Sequence, residues 1–252
     1  MAPPRIYLTG HVAVEYGSTL VDERHLAGRQ GRLAFAYLIA HRATPVSRDR
    51  LLEVIWRETP PPEVETALSA ILSKLRGALK KAQFDEAGID LRMGAVRVRL
   101  PADVRIDMEE AANAIDMADG CWRQRDGRGA WANANVAVAI GRRPFLADEE
   151  APWIAAPRER LRAMLSRGLQ ILTTVSLENG ESELAVQHAN DLVALDPFRE
   201  TSYQQLMRLH ARMGNRGEAL RVFSRLRELL RDELGTSPSP QSEAIFLEIL
   251  TA

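Results

Sequence analysis

The segment from Thr66 to Lys81 concentrates side chains that bind anions and hydrogen-bonding groups. It holds all three lysines of the chain together with an arginine and three hydroxyl residues: Thr66, Ser69, Ser73, Lys74, Arg76, Lys80 and Lys81. Lys and Arg bind phosphate oxygens, and hydroxyls exchange hydrogen bonds with the polar edges of bases. The chemistry that this set predicts is contact with a polyanion such as duplex DNA.

The same segment has the apolar periodicity of an amphipathic helix. Six apolar side chains fall within about 100° of arc, as a core-facing stripe does: Val64, Leu68, Ile71, Leu72, Leu75 and Leu79. The opposite face carries mostly small residues: Thr66, Ala70, Ser73, Gly77 and Lys80. Small side chains allow the backbone to approach bases in a major groove, while cations at the flanks reach phosphates. The alternative interpretation is an ordinary amphipathic surface helix.

Three arginines form a second candidate site. Arg97 and Arg99 alternate with Val96 and Val98, so a strand places both arginines on one face. Together with Arg92 they are positioned to hold the minor groove or the DNA backbone beside the helix. The polar outer face of a small sheet is the competing interpretation.

Other chemistry has little support in the sequence. The P-loop pattern G-x-x-x-x-G-K-[ST] does not occur, and no order of residues suggests a Ser/His/Asp or Cys/His nucleophile. The five histidines and Cys121 lack the spacing of metal ligands, so we predict no enzyme activity, no metal and no other cofactor. The single cysteine, the missing signal-peptide pattern and the lack of a long apolar run favour a cytoplasmic protein without membrane contact.

Charge is unevenly distributed along the chain of 252 residues, whose formal net charge is −1. Residues 1–107 hold 16 Lys and Arg against 13 Asp and Glu, whereas the remainder holds 17 against 21. A near-neutral total argues against an indiscriminate binder of nucleic acid. The basic surplus of the first half favours a localised interface there.

The N-terminal half mixes short strands with helices. Its predicted elements are two strands of a small antiparallel sheet (Ile6–Leu8, Val12–Val14), a helix (Arg29–Ala43), a short helix capped by Ser47 and ending at Trp56, a longer helix (Glu63–Ala82) and a hairpin (Ile89–Met93, Ala95–Leu100). The prolines at positions 60–62 force a loop before the longer helix. This order describes a winged helix-turn-helix of the OmpR type. We assign it residues 1–105 and place its boundary between Pro101 and Asp107.

The C-terminal half, residues 106–252, is predicted to be all helical. Its helices are Met108–Arg125, Trp131–Ile140, Pro157–Asn179, Ser182–Leu195, Arg199–Met213, Arg216–Leu234 and Gln241–Thr251. Equivalent residues recur 34 positions apart, as in Gly180 and Gly214. This period is typical of tetratricopeptide repeats, and it predicts a shared core containing Tyr203, Leu206, Leu209, Phe223 and Leu226. The fold class is therefore mostly α, with an α+β winged helix-turn-helix followed by an all-α tetratricopeptide-like repeat domain.

With these elements in place, the chain resembles the SARP-type (AfsR/DnrI-like) bacterial regulators, which join an OmpR-like winged helix to a bacterial transcriptional activator domain. The similarity covers nearly the whole chain. The first half matches in GRQGRLAFAYLIAHRATPVSRDRLLEVIW at 28–56 and ALSAILSKLRGAL at 67–79. The second half matches in PWIAAPRERLRAML at 152–165, in 195–240 from LDPFRETSY to ELGTSPSP, and in the terminal helix.

The resemblance implies a transcriptional activator that binds direct repeats near promoters and recruits RNA polymerase. It implies that two copies bind side by side on double-stranded DNA, either as separate molecules or as a homodimer. It assigns the reading of DNA to the wing arginines and to four positions of the third helix, Ser69, Ser73, Lys74 and Arg76. It places the polymerase-contacting loop at Arg57, Glu58 and Thr59, where the following prolines add stiffness. The ATPase of larger relatives and a preceding receiver domain are not expected in this sequence.

Two features of the third helix depart from the family pattern. Gly77 stands where the family often has an arginine, and Glu63 and Glu65 open the helix. The two acids suit the positive end of the helix dipole, but they repel phosphates if they face DNA. Together with the near-neutral charge, they favour an alternative function as a tetratricopeptide-like adaptor whose winged helix docks a protein. A repressor of the same fold, which blocks polymerase by position, is the third hypothesis.

Overall fold

The computed structural model describes residues 3–84 and 87–251. The chain forms two compact units that interleave along the sequence. Residues 1–110 and 140–161 make up the first unit, and residues 111–139 and 162–252 make up the second. These units divide the chain differently from the boundary placed between residues 105 and 106, which stays a prediction about independent domains.

The first unit contains two small sheets. Its strands are β1 (Arg5–Tyr7), β2 (Ala13–Tyr16), β3 (Thr19–Val21), β4 (Val46–Ser47), β5 (Gly88–Arg92), β6 (Ala95–Arg99) and β7 (Arg105–Ile106). One sheet has the order β3-β2-β1-β7 and the other has the order β4-β6-β5. The predicted antiparallel pair at the N-terminus and the predicted hairpin are confirmed. The sequence did not reveal β3 or β7, of which β7 runs parallel to β1.

Three α-helices complete the winged helix-turn-helix, namely α1 (Gly28–Ala40), α2 (Arg48–Trp56) and α3 (Val64–Lys81). Ser47 caps α2 as predicted, since its hydroxyl accepts a hydrogen bond of 3.2 Å from the backbone N–H of Arg50. The buried stripe of α3 consists of Leu68, Ile71, Leu72, Leu75, Ala78 and Leu79. This stripe fixes which face of α3 remains in solvent.

A buried carboxylate ties the end of the winged helix to its first strand. Asp107 is 2% exposed and accepts hydrogen bonds from the backbone N–H of Leu8 at 3.0 Å and from the N–H and hydroxyl of Thr9 at 3.0 and 2.7 Å. Thr9 also pairs with Phe145. A buried N–H left without a partner costs about 1–3 kcal/mol, so Asp107 holds this segment firmly. Within the segment predicted as a boundary, Arg105–Ile106 form strand β7, which pairs with β1.

The remaining helices are α4 (Asp107–Arg123), α5 (Gly127–Gly141), α6 (Pro152–Glu178), α7 (Ser182–Leu195), α8 (Glu200–Arg212), α9 (Arg216–Leu234) and α10 (Pro240–Thr251). The start of α6 lies five residues before the predicted Pro157. Pro152 suits a first helical position, because a proline there gives up an N–H that has no helical partner. Among the described helices, none is both long and apolar enough to cross a bilayer.

The predicted 34-residue repeat is confirmed in the helical core. Its repeated apolar pairs are buried: Leu172 and Leu206, Ala185 and Ala219, Leu192 and Leu226. Gly180 and Gly214 follow α6 and α8 with φ of +80° and +75°, a conformation that glycine adopts most easily. The other predicted core residues, Tyr203, Leu209 and Phe223, are buried as well. The helices therefore pack as tetratricopeptide-like pairs.

Candidate nucleic-acid interface

The solvent face of α3 carries every contact residue predicted on this helix. Seven side chains are exposed: Thr66, Ser69, Ser73, Lys74, Arg76, Lys80 and Lys81. Ala70 and Gly77 lie exposed on the same face, and among the described residues nothing beyond the neighbouring turns of the helix lies within 4 Å of the place that a Cβ on Gly77 would take. The middle of the exposed face of α3 therefore carries small side chains, and such a face fits into a major groove about 12 Å wide.

The lysines of α3 differ in their partners. Lys81 Nζ lies 2.6 Å from Nε2 of His25, whose Nδ1 lies 3.1 Å from an Asp22 carboxylate oxygen. Lys74 and Lys80 form neither a hydrogen bond nor an ion pair with any part of the chain that the structure describes. Lys74 and Lys80 are therefore available to an anionic ligand, whereas Lys81 also contacts His25 in the 3-10 helix Glu23–His25 that precedes α1.

Arg76 connects α3 to the hairpin. Its Nε donates a hydrogen bond of 2.6 Å to the backbone carbonyl of Ile89 in β5. The sequence predicted Arg76 as a contact residue, but the pattern within α3 contains no information about a partner on a strand. The structure gives this exposed arginine a second role, because it sets the position of the hairpin beside α3.

The hairpin arginines lie on one face as predicted. Val96 and Val98 are buried, while Arg97 and Arg99 are exposed. Arg99 forms an ion pair of 3.0 Å with Asp90 on the paired strand β5. Arg92 and Arg97 are exposed and form no ion pair with the described residues. Among the described residues, the hairpin's arginines without an ion pair are therefore Arg92, next to the turn, and Arg97, in the middle of β6.

One acid at the start of α3 is balanced by a neighbouring helix. Glu65 forms an ion pair with Arg48, the first residue of α2. Two opposite charges in contact present a much weaker field to a distant phosphate than the acid alone. The expected repulsion between Glu65 and DNA is reduced for this reason, while Glu63 remains exposed at the helix start.

The loop between α2 and α3 exposes the three residues predicted to contact polymerase, Arg57, Glu58 and Thr59. Arg57 has a positive φ of +53°, and its N–H donates to the Glu53 carbonyl at 2.8 Å. The N–H of Thr59 donates to the Trp56 carbonyl at 3.1 Å. The loop thus has a defined start, and it borders a cleft of about 670 Å³.

Within the described residues, no group of His, Cys, Asp and Glu side chains is arranged to hold a metal ion.

Comparison with known proteins covers both halves of the chain. The family model of the bacterial transcriptional activator domain matches residues 106–250. Regulatory protein AfsR of Streptomyces coelicolor is 27% identical over 223 residues, which are 88% of this chain and 22% of AfsR. Transcriptional regulator RedD of the same organism is 28% identical over 244 residues, which are 93% of this chain and 69% of RedD. The chain spans about a quarter of the length of the AfsR proteins of two Streptomyces species, at 22% and 24%.

A solved structure shows the same fold. Mycobacterium tuberculosis EmbR, in complex with a low affinity phosphopeptide, superposes with a TM-score of 0.82. The sequence identity is 20%, and the match covers 98% of this chain and 65% of the EmbR chain. At this identity the similarity concerns the fold, and it includes both the winged helix and the helical repeats.

Proposed function

The chain belongs to the SARP-type family of bacterial regulators that carry a bacterial transcriptional activator domain, and on this premise we propose that it binds duplex DNA sequence-specifically and activates transcription. The observation that carries the proposal is the joint exposure of the cations and hydroxyls of α3 and the hairpin, linked by the Arg76–Ile89 hydrogen bond. In this proposal α3 enters a major groove and the hairpin lies over the adjacent minor groove.

Each group of side chains has its own task in this arrangement. Ser69 and Ser73 hydrogen-bond to base edges, because a hydroxyl both donates and accepts. Lys74 and Lys80 bind phosphates and supply affinity that does not depend on sequence. Gly77 leaves space for the helix backbone to approach the bases. The ion pair of Glu65 weakens the argument for an adaptor, which relied on repulsion between this helix and DNA.

The loop formed by Arg57, Glu58 and Thr59 is proposed to contact RNA polymerase while α3 holds the DNA. Its exposure and its defined hydrogen bonds to α2 support this role. We further propose that two copies bind direct repeats, in tandem or as a homodimer. A repressor would use the same contacts with DNA, and the position of the binding site relative to the promoter decides between the two outcomes.

Salt dependence tests the DNA-binding step. In vitro selection from random duplexes first supplies a binding site, and fluorescence anisotropy then measures affinity between 50 and 200 mM salt. A protein that contacts six or so phosphates loses on the order of a thousandfold affinity over this range. Lys74→Ala/Lys80→Ala should bind more weakly and lower the slope of log affinity against log salt by about two.

Arg227→Ala is the matched control, because Arg227 is an exposed cation on α9 and lies outside the proposed interface. Its affinity and salt slope should equal those of the wild type. If Lys74→Ala/Lys80→Ala has the same affinity and salt slope as this control, the assignment of α3 to the DNA interface is wrong. A wild-type protein that selects no sequence at low salt would show that the proposed function is wrong.

A further inference from the structure

The turn of the hairpin has an unusual residue at its tip. Arg92 pairs with Ala95, so the turn consists of Met93 and Gly94 alone. Both have positive φ, +50° and +72°, which is the pattern of a type I′ turn. Such turns favour Asn-Gly, whereas a left-handed backbone costs a side chain like methionine roughly 1–2 kcal/mol. Methionine at this position therefore carries backbone strain that glycine or asparagine would largely avoid.

Packing within the protein does not explain Met93. Its relative exposure is 104%, higher than that of any other large apolar side chain described as exposed. Leu91, two residues earlier on β5, is also exposed, at 38%. Neither turn preference nor burial favours methionine at the tip, so a residue in a rare conformation points to a function outside the folded chain.

The tip is held in place from two sides. Strand β4 pairs with β6 through Val46–Val96 and Ser47–Ala95. The N–H of Arg48 donates a hydrogen bond of 2.8 Å to the carbonyl of Gly94. The turn is therefore anchored at the start of α2, and Arg76 fixes the other end of the hairpin at Ile89. Because the backbone of the tip is already anchored, it does not have to be ordered when the side chain meets a ligand.

Charge around the tip indicates what it meets. Arg92 adjoins the turn and Arg97 lies on the same face of β6, three residues after it; both are exposed, and neither has an ion-pair partner among the described residues. An apolar tip flanked by cations is complementary to a surface with an anionic rim and an apolar interior. The minor groove meets this description where a base step opens, since phosphates line its edges and an inserted wedge reaches the apolar faces of the separated bases.

We propose that Met93 is an apolar wedge that enters the minor groove, partly unstacks one base step and bends the DNA. The inference rests on the proposed function and deepens it, because it assigns an indirect mode of sequence recognition to the hairpin. Pyrimidine–purine steps such as TA unstack most easily, whereas A-tracts are stiff. The protein should therefore prefer a TA or CA step where the tip inserts, although no hydrogen bond reads that step.

The test compares Met93→Asn with the wild type on a selected duplex carrying donor and acceptor dyes at its ends. Asparagine fits the turn better and leaves the net charge unchanged, so thermal stability should be equal or higher. We expect about a tenfold loss of affinity, a smaller change in end-to-end energy transfer, and loss of the preference for TA over an A-tract step. The salt slope should not change, because no phosphate contact is removed.

Leu20→Asn is the control, since Leu20 is 55% exposed on β3 and lies outside the proposed interface. It should bind and bend DNA as the wild type does. If Met93→Asn binds and bends DNA like the wild type, the wedge is wrong while the proposed function stands. If only polymerase-dependent transcription is lost, the tip contacts a protein, and the wedge is again wrong. If the wild type binds no duplex, both proposals are wrong.

Discussion

At the scale of single residues, Glu200 joins two segments that lie far apart in the sequence. The carboxylate at the start of α8 accepts hydrogen bonds from the N–H and hydroxyl of Ser239 at 2.9 and 2.7 Å and from the hydroxyl of Ser242 at 2.6 Å. Burial raises the pKa of Glu200, but these donors outweigh burial, and the net pKa lies below its ordinary value. The ionised form therefore stabilises the junction of α8 and α10.

The lowered pKa predicts a pH-dependent contribution to stability. A carboxylate with a depressed pKa stabilises the fold above the pKa of the unfolded chain, about 4.3, and this stabilisation is lost as the pH falls through the folded pKa. Glu200→Gln should lower the free energy of unfolding at pH 7 by on the order of 1 kcal/mol. The difference between the two proteins should shrink as the pH falls below 4, as measured by urea unfolding at several pH values.

Glu233→Gln is the matched control, because Glu233 is exposed at the end of α9. It should leave the stability within about 0.5 kcal/mol of the wild type at every pH. A difference for Glu200→Gln that stayed constant from pH 7 to pH 3 would contradict the assignment.

At the scale of elements, the repeat places Gly180 and Gly214 at equivalent helix ends. Both have left-handed backbones, and in the part of the chain that the structure describes an added Cβ at either position would meet no heavy atom within 4 Å beyond its chain neighbours. Alanine at either position should therefore destabilise through backbone conformation alone, by about 1–2 kcal/mol. Chemical denaturation should give similar losses for Gly180→Ala and Gly214→Ala, because the repeat makes the two positions alike.

Gly217 provides the opposite control within the same helical region. It lies in the first turn of α9, and among the described residues a Cβ there also meets no atom within 4 Å beyond its neighbours in the helix. Gly217→Ala should leave stability unchanged or raise it by up to about 1 kcal/mol, because alanine has the higher helix propensity. If alanine changes the free energy of unfolding equally at all three glycines, the left-handed backbone of Gly180 and Gly214 is not what makes alanine unfavourable there.

At the scale of the whole molecule, the proposal requires DNA binding and contact with polymerase to be separable. Two half-sites on one face of DNA lie about 10 bp, or a multiple, apart. Inserting 5 bp between selected repeats should abolish cooperative binding and activation, and inserting 10 bp should restore both. Arg57→Ala/Glu58→Ala should bind the unaltered site normally but fail to activate. Mobility shift and in vitro transcription on the same template measure the two steps.

A template with one half-site is the control for cooperativity. If a 5 bp insertion leaves binding and transcription unchanged, tandem recognition is wrong. If Arg57→Ala/Glu58→Ala activates transcription fully, the assignment of the polymerase contact to this loop is wrong, while the assignment of DNA binding to α3 is unaffected.

Local sequence patterns determined most of the helical architecture. The bounds of α7 and α9, Ser182–Leu195 and Arg216–Leu234, agree with prediction. Apolar side chains recur with the period of a helix, and the 34-residue offset relates one helix pair to the next. The same periodicity determined that Ser73 and Lys74 face solvent, since it fixes the buried side of α3.

Only the tertiary structure decided which distant segments meet. Strand β7 is two residues long, too short to show a period, and it is defined by its pairing with β1. Trp153 packs edge-to-face against Tyr37 at 5.1 Å, within the unit that residues 140–161 share with the winged helix. Periodicity records which side of an element is buried. It does not record which distant side chain fills the space against it, because that choice depends on the packing of the whole fold.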